Sequence, residues 1–378
     1  MRITLIRQKY NPFGGAERFV SRALAALGAN AASVSLIARA WEPIENVNFI
    51  QCKPFYIGRL WRDFGFSCKA RQQLKTIQSD LVQSHERIPG CDIFRAGDGV
   101  HRVWLEQRSR TLGFFSRLFM QLSPYHAYLL MTEKRLFEHP KLRAVICNSN
   151  MVKNEIVEHF HIDESKLHVI YNGIDTAEFH PAIKQNKLEL RNKIGISVDK
   201  TVFLFVGSGY ARKGLSQVLQ ALTALPENAV LIIVGYDKNE KSFRRQAEKL
   251  GLLSRVIFRG PQKNVKDSYA VADVFILPTL YDPFPNAVVE AMACGLPVIT
   301  SRKSGAAEVI TDYQNGFVCD ALDTEKMSRS MQILCDKNLA GRMGLNARKT
   351  AESFDIAMAT NSLVNLYKEL LSDQSSRT

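Results

Sequence analysis

Two carboxylates eight residues apart, Asp282 and Glu290, stand in the segment YDPFPNAVVEAMACGLPVITS, residues 281–301. Its pattern predicts a helix with Pro285 in the first turn and Gly295 as the stop. Glu290 then lies about one turn, roughly 5–6 Å, inside that helix. Asp282 stays in the preceding loop, which Pro283 and Pro285 stiffen. Between the acids, Phe284, Pro285, Asn286 and Ala287 bring main chain to a helix N-terminus, where free N–H groups attract anions. The order is acid, amides, acid. A nucleotide sugar presents hydroxyls, diphosphate, hydroxyls, and carboxylates accept hydrogen bonds from hydroxyls while amides take phosphate charge. The plainer alternative makes Asp282 a helix cap and Glu290 a solvated charge. Against it, Glu290 is flanked by Val288, Val289, Ala291, Met292 and Ala293, where an acid is costly without a partner.

Two glycine-rich turns could take the phosphates. In NPFGGAER, Gly14 and Gly15 stand between a predicted strand and a predicted helix, so the backbone can approach a ligand closely. VGSGYARKG also follows a strand and precedes a helix. It is not a dinucleotide fingerprint, because Arg212 occupies the place of the third glycine, and not a Walker loop, because Leu215 follows Gly214. What it carries is Ser208, Arg212 and Lys213 at the ligand end of a strand. An arginine fork beside a lysine point charge suits a diphosphate. The alternative, two solvated cations at a helix start, sets them against the helix dipole.

Parallel α/β sheets must position these residues. Apolar runs predict strands at Met1–Ile6, Ser33–Ala38, Val47–Cys52, Leu81–Ser84, Arg143–Asn148 and His168–Tyr171. Helical spacing predicts helices over Ala16–Leu27 and Met151–Phe160, and one ending near Leu74–Ile77. In the second half TVFLFVG, AVLIIVG, RVIFRG, DVFILP and PVITS read as strands with helices between them. Leu215, Val218, Leu219, Leu222 and Leu225 mark one helix face. Such alternation predicts two Rossmann-like units with parallel sheets covered by helices. Residues 1–171 form the first and 172–355 the second, joined near NGIDTAEFHPAIKQNK. Open parallel sheets bind ligands beyond the carboxyl ends of their strands, so the two are expected to face each other across a cleft. Residues 356–378 hold a last helix, expected to cross back to the first domain, and a polar tail.

Composition narrows the class. The 378 residues exceed one ordinary core. No apolar run approaches the roughly 18–20 residues of a membrane-spanning helix. The short apolar start runs into Arg7 and Lys9, unlike a secretory leader. Seven scattered cysteines with no CxxC pair favour a reducing cytoplasm over a disulfide or zinc scaffold. The formal charge of +13 asks for an acidic partner.

The segment 281–301 resembles the E-x7-E signature of retaining glycosyltransferases of family four, which have the GT-B fold. Asp282 stands where that family usually has its first glutamate, so this arm is shorter. NGIDTAEFHP (172–181), VGSGYARKG, VADVFILPT and EAMACGLPVIT resemble the family as well. KYNPFGGAER (9–18), IPGCDIFRAGD (88–98) and GYDK (235–238) resemble the branch that glucosylates the lipopolysaccharide core of Gram-negative bacteria. The resemblance implies transfer of a hexose from a nucleotide sugar, UDP-linked, to a lipid-linked saccharide with retained configuration. It implies that Gly14 and Gly15 abut donor phosphates or acceptor, and that Arg212 and Lys213 neutralise the leaving diphosphate. Asp282 and the amides after it would hold the sugar, and Glu290 the ribose. Asp98 becomes the candidate for orienting or deprotonating the acceptor hydroxyl, with His101 and His85 as competitors. No metal is implied, and no Asp-x-Asp motif occurs.

Between His101 and Arg143, eight arginines and lysines face three glutamates and interleave with Trp104, Phe114, Phe115, Phe119, Tyr125, Tyr128 and Phe137. GFFSRLFMQL predicts an amphipathic helix, and KPFYIGRLWRDFGF (53–66) is similar in character. Basic residues beside aromatic ones suit an anionic membrane surface, so the chain is expected to sit peripherally on the cytoplasmic face of the inner membrane. The alternative places these aromatics in a core. No nucleic-acid motif accompanies them, and nothing sets an oligomeric state. Two other functions compete: a sugar-nucleotide epimerase of similar build, and a non-enzymatic basic binding module.

Overall fold

The structure is a computed structural model that describes residues 1–8, 33–42 and 45–375. The helix expected over Ala16–Leu27 and the turn at Gly14 and Gly15 lie outside the described residues. Contacts divide the chain into two compact units, Met1–Gly173 with Ala357–Thr378, and Ile174–Ile356.

The first unit holds a seven-stranded sheet in the order β3-β2-β1-β4-β5-β6-β7. Its strands are β1 (Arg2–Ile6), β2 (Ser33–Ala38), β3 (Val47–Gln51), β4 (Leu81–Ser84), β5 (Ile93–Arg95), β6 (Ala144–Cys147) and β7 (Leu167–Val169). Every pairing is parallel. The described helices are α1 (Gly58–Leu74), α2 (His101–Ser109), α3 (Phe114–Gln121), α4 (Pro124–Phe137), α5 (Asn150–Phe160) and the last helix, Ile356–Ser375. Leu363, Val364, Leu366, Tyr367 and Leu370 of that last helix join Ile3, Leu5, Leu36, Leu81 and Ile146 in one buried cluster. One face of the sheet is therefore covered by residues from the far end of the chain. Burying such a side chain contributes about 1.5–3 kcal/mol, so this helix is a structural layer of the first unit.

The second unit holds a six-stranded parallel sheet in the order β10-β9-β8-β11-β12-β13. Its strands are β8 (Thr201–Val206), β9 (Ala229–Val234), β10 (Val256–Gly260), β11 (Val274–Leu277), β12 (Val298–Ser301) and β13 (Gly316–Cys319). Strands β9, β11 and β12 are buried at every position, which is why they read as unbroken apolar runs rather than alternating ones. In both sheets the strand order reverses once, between β1 and β4 and between β8 and β11. Beyond the carboxyl ends of those strand pairs lies the usual ligand position of a doubly wound sheet.

Two strands escaped the sequence reading. β5 has three residues and ends in an arginine. β13 opens on Gly316, where a Cβ would lie 2.1 Å from the Val298 carbonyl oxygen. The helix expected from Pro285 runs over Asn286–Ala293. Pro285 is its cap, with extended backbone, rather than a first-turn residue. Gly295, at φ +71°, supplies the left-handed stop.

Candidate active site

The carboxyl end of β8 opens into the turn that carries Ser208, Arg212 and Lys213. Gly214, at φ +80°, closes this turn and caps the helix Leu215–Leu222. A Cβ at Gly214 would lie 2.1 Å from the Pro278 carbonyl oxygen, so only glycine lets the turn dock on the end of β11. Two further bonds stitch the loops together: Leu280 N–H donates to the Arg212 carbonyl at 2.8 Å, and Thr279 Oγ1 to the same oxygen at 3.1 Å. Ser208 Oγ accepts from the Tyr236 amide at 3.2 Å and ties the turn to the end of β9.

This docking puts three charges together. Asp282 Oδ2 accepts from Arg212 Nη1 at 3.1 Å and is also ion-paired to Lys213 Nζ. Arg212 Nη1 reaches the Tyr281 carbonyl as well, at 3.1 Å. Asp282 and Lys213 are each 8% exposed. Burial alone would raise the Asp282 pKa, but Lys213 and then Arg212 outweigh it and hold the carboxyl below its ordinary value. The carboxylate is thus ionised; burial lowers the Lys213 pKa against the pull of Asp282, and with Lys213 protonated the two cations and one anion leave a net charge of +1. Oδ1 of Asp282 has no hydrogen-bond partner among the described residues. The main chain of Asp282 is pinned too: its N–H donates to the Lys303 carbonyl at 2.9 Å and its carbonyl accepts from Gly305 N–H at 2.8 Å.

Glu290 is 4% exposed and accepts from the Tyr269 hydroxyl at 2.9 Å. Its helix is fixed from below. Lys184 Nζ donates to the Gly295 carbonyl at 2.7 Å, and Arg348 Nη1 to the Ala293 carbonyl at 3.0 Å. Cations at carbonyls of a helix C-terminus are electrostatically favoured. Burial lowers the Lys184 pKa to about 8. At the other end of the helix, Phe284 is buried with its ring 5.8 Å from that of Phe354, while Asn286 and Ala287 are half-buried. None of Tyr269, Lys184 and Arg348 was singled out from the sequence. They stand 21, 106 and 58 residues from Glu290, with no local motif to signal them.

In the first unit Asp98 is exposed, in the turn after β5. Arg87 holds that turn through the Gly99 carbonyl at 3.0 Å and bonds Glu133 at 2.8 Å. Glu133 also accepts the His101 amide at 3.1 Å. His101 and His126 share a ring contact, Nε2 to Nδ1, at 3.1 Å. Burial, then Arg87 and His126, push the His101 pKa down to about 3. A neutral imidazole with one nitrogen engaged is a poor base near pH 7. Among the described residues no three His, Cys, Asp or Glu side chains gather as a metal site.

Comparisons with known proteins converge on this architecture. Residues 13–178 match the family described as Glycosyltransferase Family 4, and residues 186–350 match Glycosyl transferases group 1. Together the two matches span most of the chain. The chain is a glycosyltransferase with the GT-B fold. It is 27% identical over 357 residues to lipopolysaccharide glucosyltransferase WaaG of Escherichia coli K12, covering 92% of this chain and 93% of that one. The crystal structure of WaaG superposes with a TM-score of 0.84 at 25% identity, over 96% of this glycosyltransferase and 99% of that chain. Anabaena HepE in complex with UDP and glucose shares the fold, with a TM-score of 0.74 at 20% identity over 98% and 100% of the chains.

The exposed aromatic residues of the glycosyltransferase are a separate feature of the first unit. Phe114, Phe115 and Phe119 of α3 are 73–75% exposed, and Phe55 and Ile57, just before α1, 77–80%. These side chains are at the surface and not in a core. Both segments rest on α4, where Phe64 meets Tyr128 edge-on at 6.2 Å and Arg59 lies 5.2 Å over the Tyr125 ring. Arg117, Arg59 and Lys53 are exposed beside them. No described helix is long and apolar enough to cross a membrane.

Proposed function

We propose that this glycosyltransferase moves a hexose from a UDP-sugar, such as UDP-glucose, to the lipopolysaccharide core or another lipid-linked glycan, with retention and without a metal ion. The observation that carries the reading is the cluster of Asp282, Lys213 and Arg212 where the order of the second sheet reverses. Its residual positive charge suits a leaving diphosphate. Lys213 and Arg212 supply the stabilisation a divalent cation provides elsewhere. Asp282 keeps Oδ1 for a sugar hydroxyl, and Glu290 accepts from the ribose. The family resemblance assigns Gly14 and Gly15 to the donor phosphates or the acceptor.

The step balances without a protein nucleophile. The bond from the anomeric carbon to the departing phosphate oxygen breaks. The acceptor hydroxyl oxygen attacks the oxocarbenium-like carbon from the same face. Its proton passes to the departing phosphate oxygen, and Asp98 orients the acceptor. The name of the WaaG relative and the UDP and glucose in the HepE complex support the donor and acceptor classes. The basic aromatic surface on α1 and α3 fits peripheral attachment at the cytoplasmic face of the inner membrane, where such an acceptor lies.

A panel of nucleotide sugars tests the reading. UDP-glucose or a related UDP-sugar is expected to raise the melting temperature and, with a lipid-linked core acceptor, to release UDP. Product NMR should show the donor's anomeric configuration, and EDTA should leave the rate unchanged. No stabilisation and no turnover with any nucleotide sugar would refute it.

A further inference from the structure

The order of the first sheet reverses between β1 and β4. Ile6 pairs with Ser84, and His85 N–H then donates to the Ile6 carbonyl at 2.9 Å, so His85 stands just past the reversal. His85 is 7% exposed. Its Nε2 lies 3.0 Å from Gln83 Nε2, and Gln83 Oε1 accepts from the Tyr367 hydroxyl at 2.7 Å. Gln83 is 1% exposed and Tyr367 fully buried. A carboxamide whose oxygen faces Tyr367 turns its NH2 towards His85. Nε2 of His85 is then an acceptor, and the ring proton belongs on Nδ1. Burial, then Arg7 and Arg95, drive the His85 pKa well below 6.5, so the ring is neutral. Its Nδ1–H has no acceptor among the described residues.

We propose that Tyr367, Gln83 and His85 form a positioning relay. It holds the His85 ring with Nδ1–H presented at the ligand end of β4, as a hydrogen-bond donor to an oxygen of the acceptor saccharide. His85 is the contact residue, whereas Gln83 and Tyr367 act through it. The last helix thereby becomes part of the site as well as part of the core. The relay explains a glutamine and a tyrosine hydroxyl buried in an otherwise apolar layer, where each needs a partner. It also gives His85 a different task from a base: a donor that keeps its proton across the physiological range. This inference rests on the glycosyltransferase reading above.

The test uses the full chain labelled with 15N-histidine. Wild-type His85 should show a protonated Nδ1 and a bare Nε2. Gln83→Glu replaces the donor amide with an acceptor and should move the proton to Nε2. Tyr367→Phe keeps the buried ring and should mix the tautomers. In kinetics with the preferred nucleotide sugar, Tyr367→Phe should lower kcat about ten-fold with donor KM unchanged. Gln83→Glu should lower kcat further and raise the acid limb of its pH profile. An Nε2–H tautomer in the wild type overturns the proposal. So does a Tyr367→Phe protein with wild-type tautomer and wild-type kcat. If no nucleotide sugar is turned over, the functional reading fails while the His85 tautomer still decides the relay.

Discussion

Lys213 and Asp282 lie 69 residues apart and form a buried ion pair where the strand order of the second sheet reverses. Removing one partner leaves a desolvated charge, which costs more than removing both. Asp282→Asn should lose about 3 kcal/mol in urea unfolding, and Lys213→Met a similar amount. The double variant should lose less than the sum. Additive losses would show that the pair is not coupled.

The same pair sets an acid limit. Asp282 has a folded pKa held below its ordinary 3.8. Its stabilisation is complete above that pH and is lost as pH falls through the lower folded value. Asp282→Asn should therefore flatten the acid arm of the stability curve and leave its shape near pH 7 unchanged.

Glu290 and Tyr269 should act on donor binding together. Glu290→Ala is expected to weaken UDP-sugar binding by about 10- to 100-fold, the worth of hydrogen bonds to a charged group. Tyr269→Phe removes the bond that orients Glu290 and should weaken it by about ten-fold. Calorimetry with UDP and the preferred UDP-sugar measures both. Unchanged affinity in Glu290→Ala would remove Glu290 from the site.

Five buried thiols predict an alkaline transition. Burial pushes Cys91, Cys147, Cys294 and Cys319 up to about 12, and Cys52 to about 11, from an ordinary 9.0. Because the folded values are raised, their stabilisation is present below pH 9 and is lost as pH climbs towards 12. At pH 8 a chromogenic disulfide should label only the half-buried Cys68 and Cys335 in the native protein, and all seven cysteines after denaturation.

The aromatic surface makes a further prediction. Phe115→Asp with Phe119→Asp should reduce binding to anionic phospholipid vesicles by at least ten-fold, because each buried phenyl ring is worth about 1.5–3 kcal/mol. Turnover of a short soluble acceptor should be unaffected. Equal vesicle binding by the variant would assign this surface elsewhere.

Much of the fold was written in apolar runs. Residues 229–234 and 274–277 are uninterrupted apolar stretches because helices cover both faces of their sheet, and such runs are hard to misread. β5 and β13 were not legible, since three or four residues with an arginine or a glycine carry no period. In the site, the carboxylates and the Arg-Lys turn were visible as residue types in a turn. Their joining into one ion cluster was not, because it depends on how two loops dock, and a glycine at 214 does not announce the carbonyl it accommodates. The Tyr269, Lys184, Arg348 and Tyr367 contacts span 21 to 284 residues and leave no local trace.

The last helix completes the core of the first unit from the opposite end of the chain, which has a practical consequence for recombining enzymes of this kind. A chimaera that exchanges only residues 1–173 would graft a sheet onto a foreign helix, with Leu363, Val364 and Tyr367 replaced by side chains shaped for another partner. The exchangeable module is discontinuous: the amino-terminal sheet travels between homologues as a folded unit only when the carboxy-terminal segment is carried along with it.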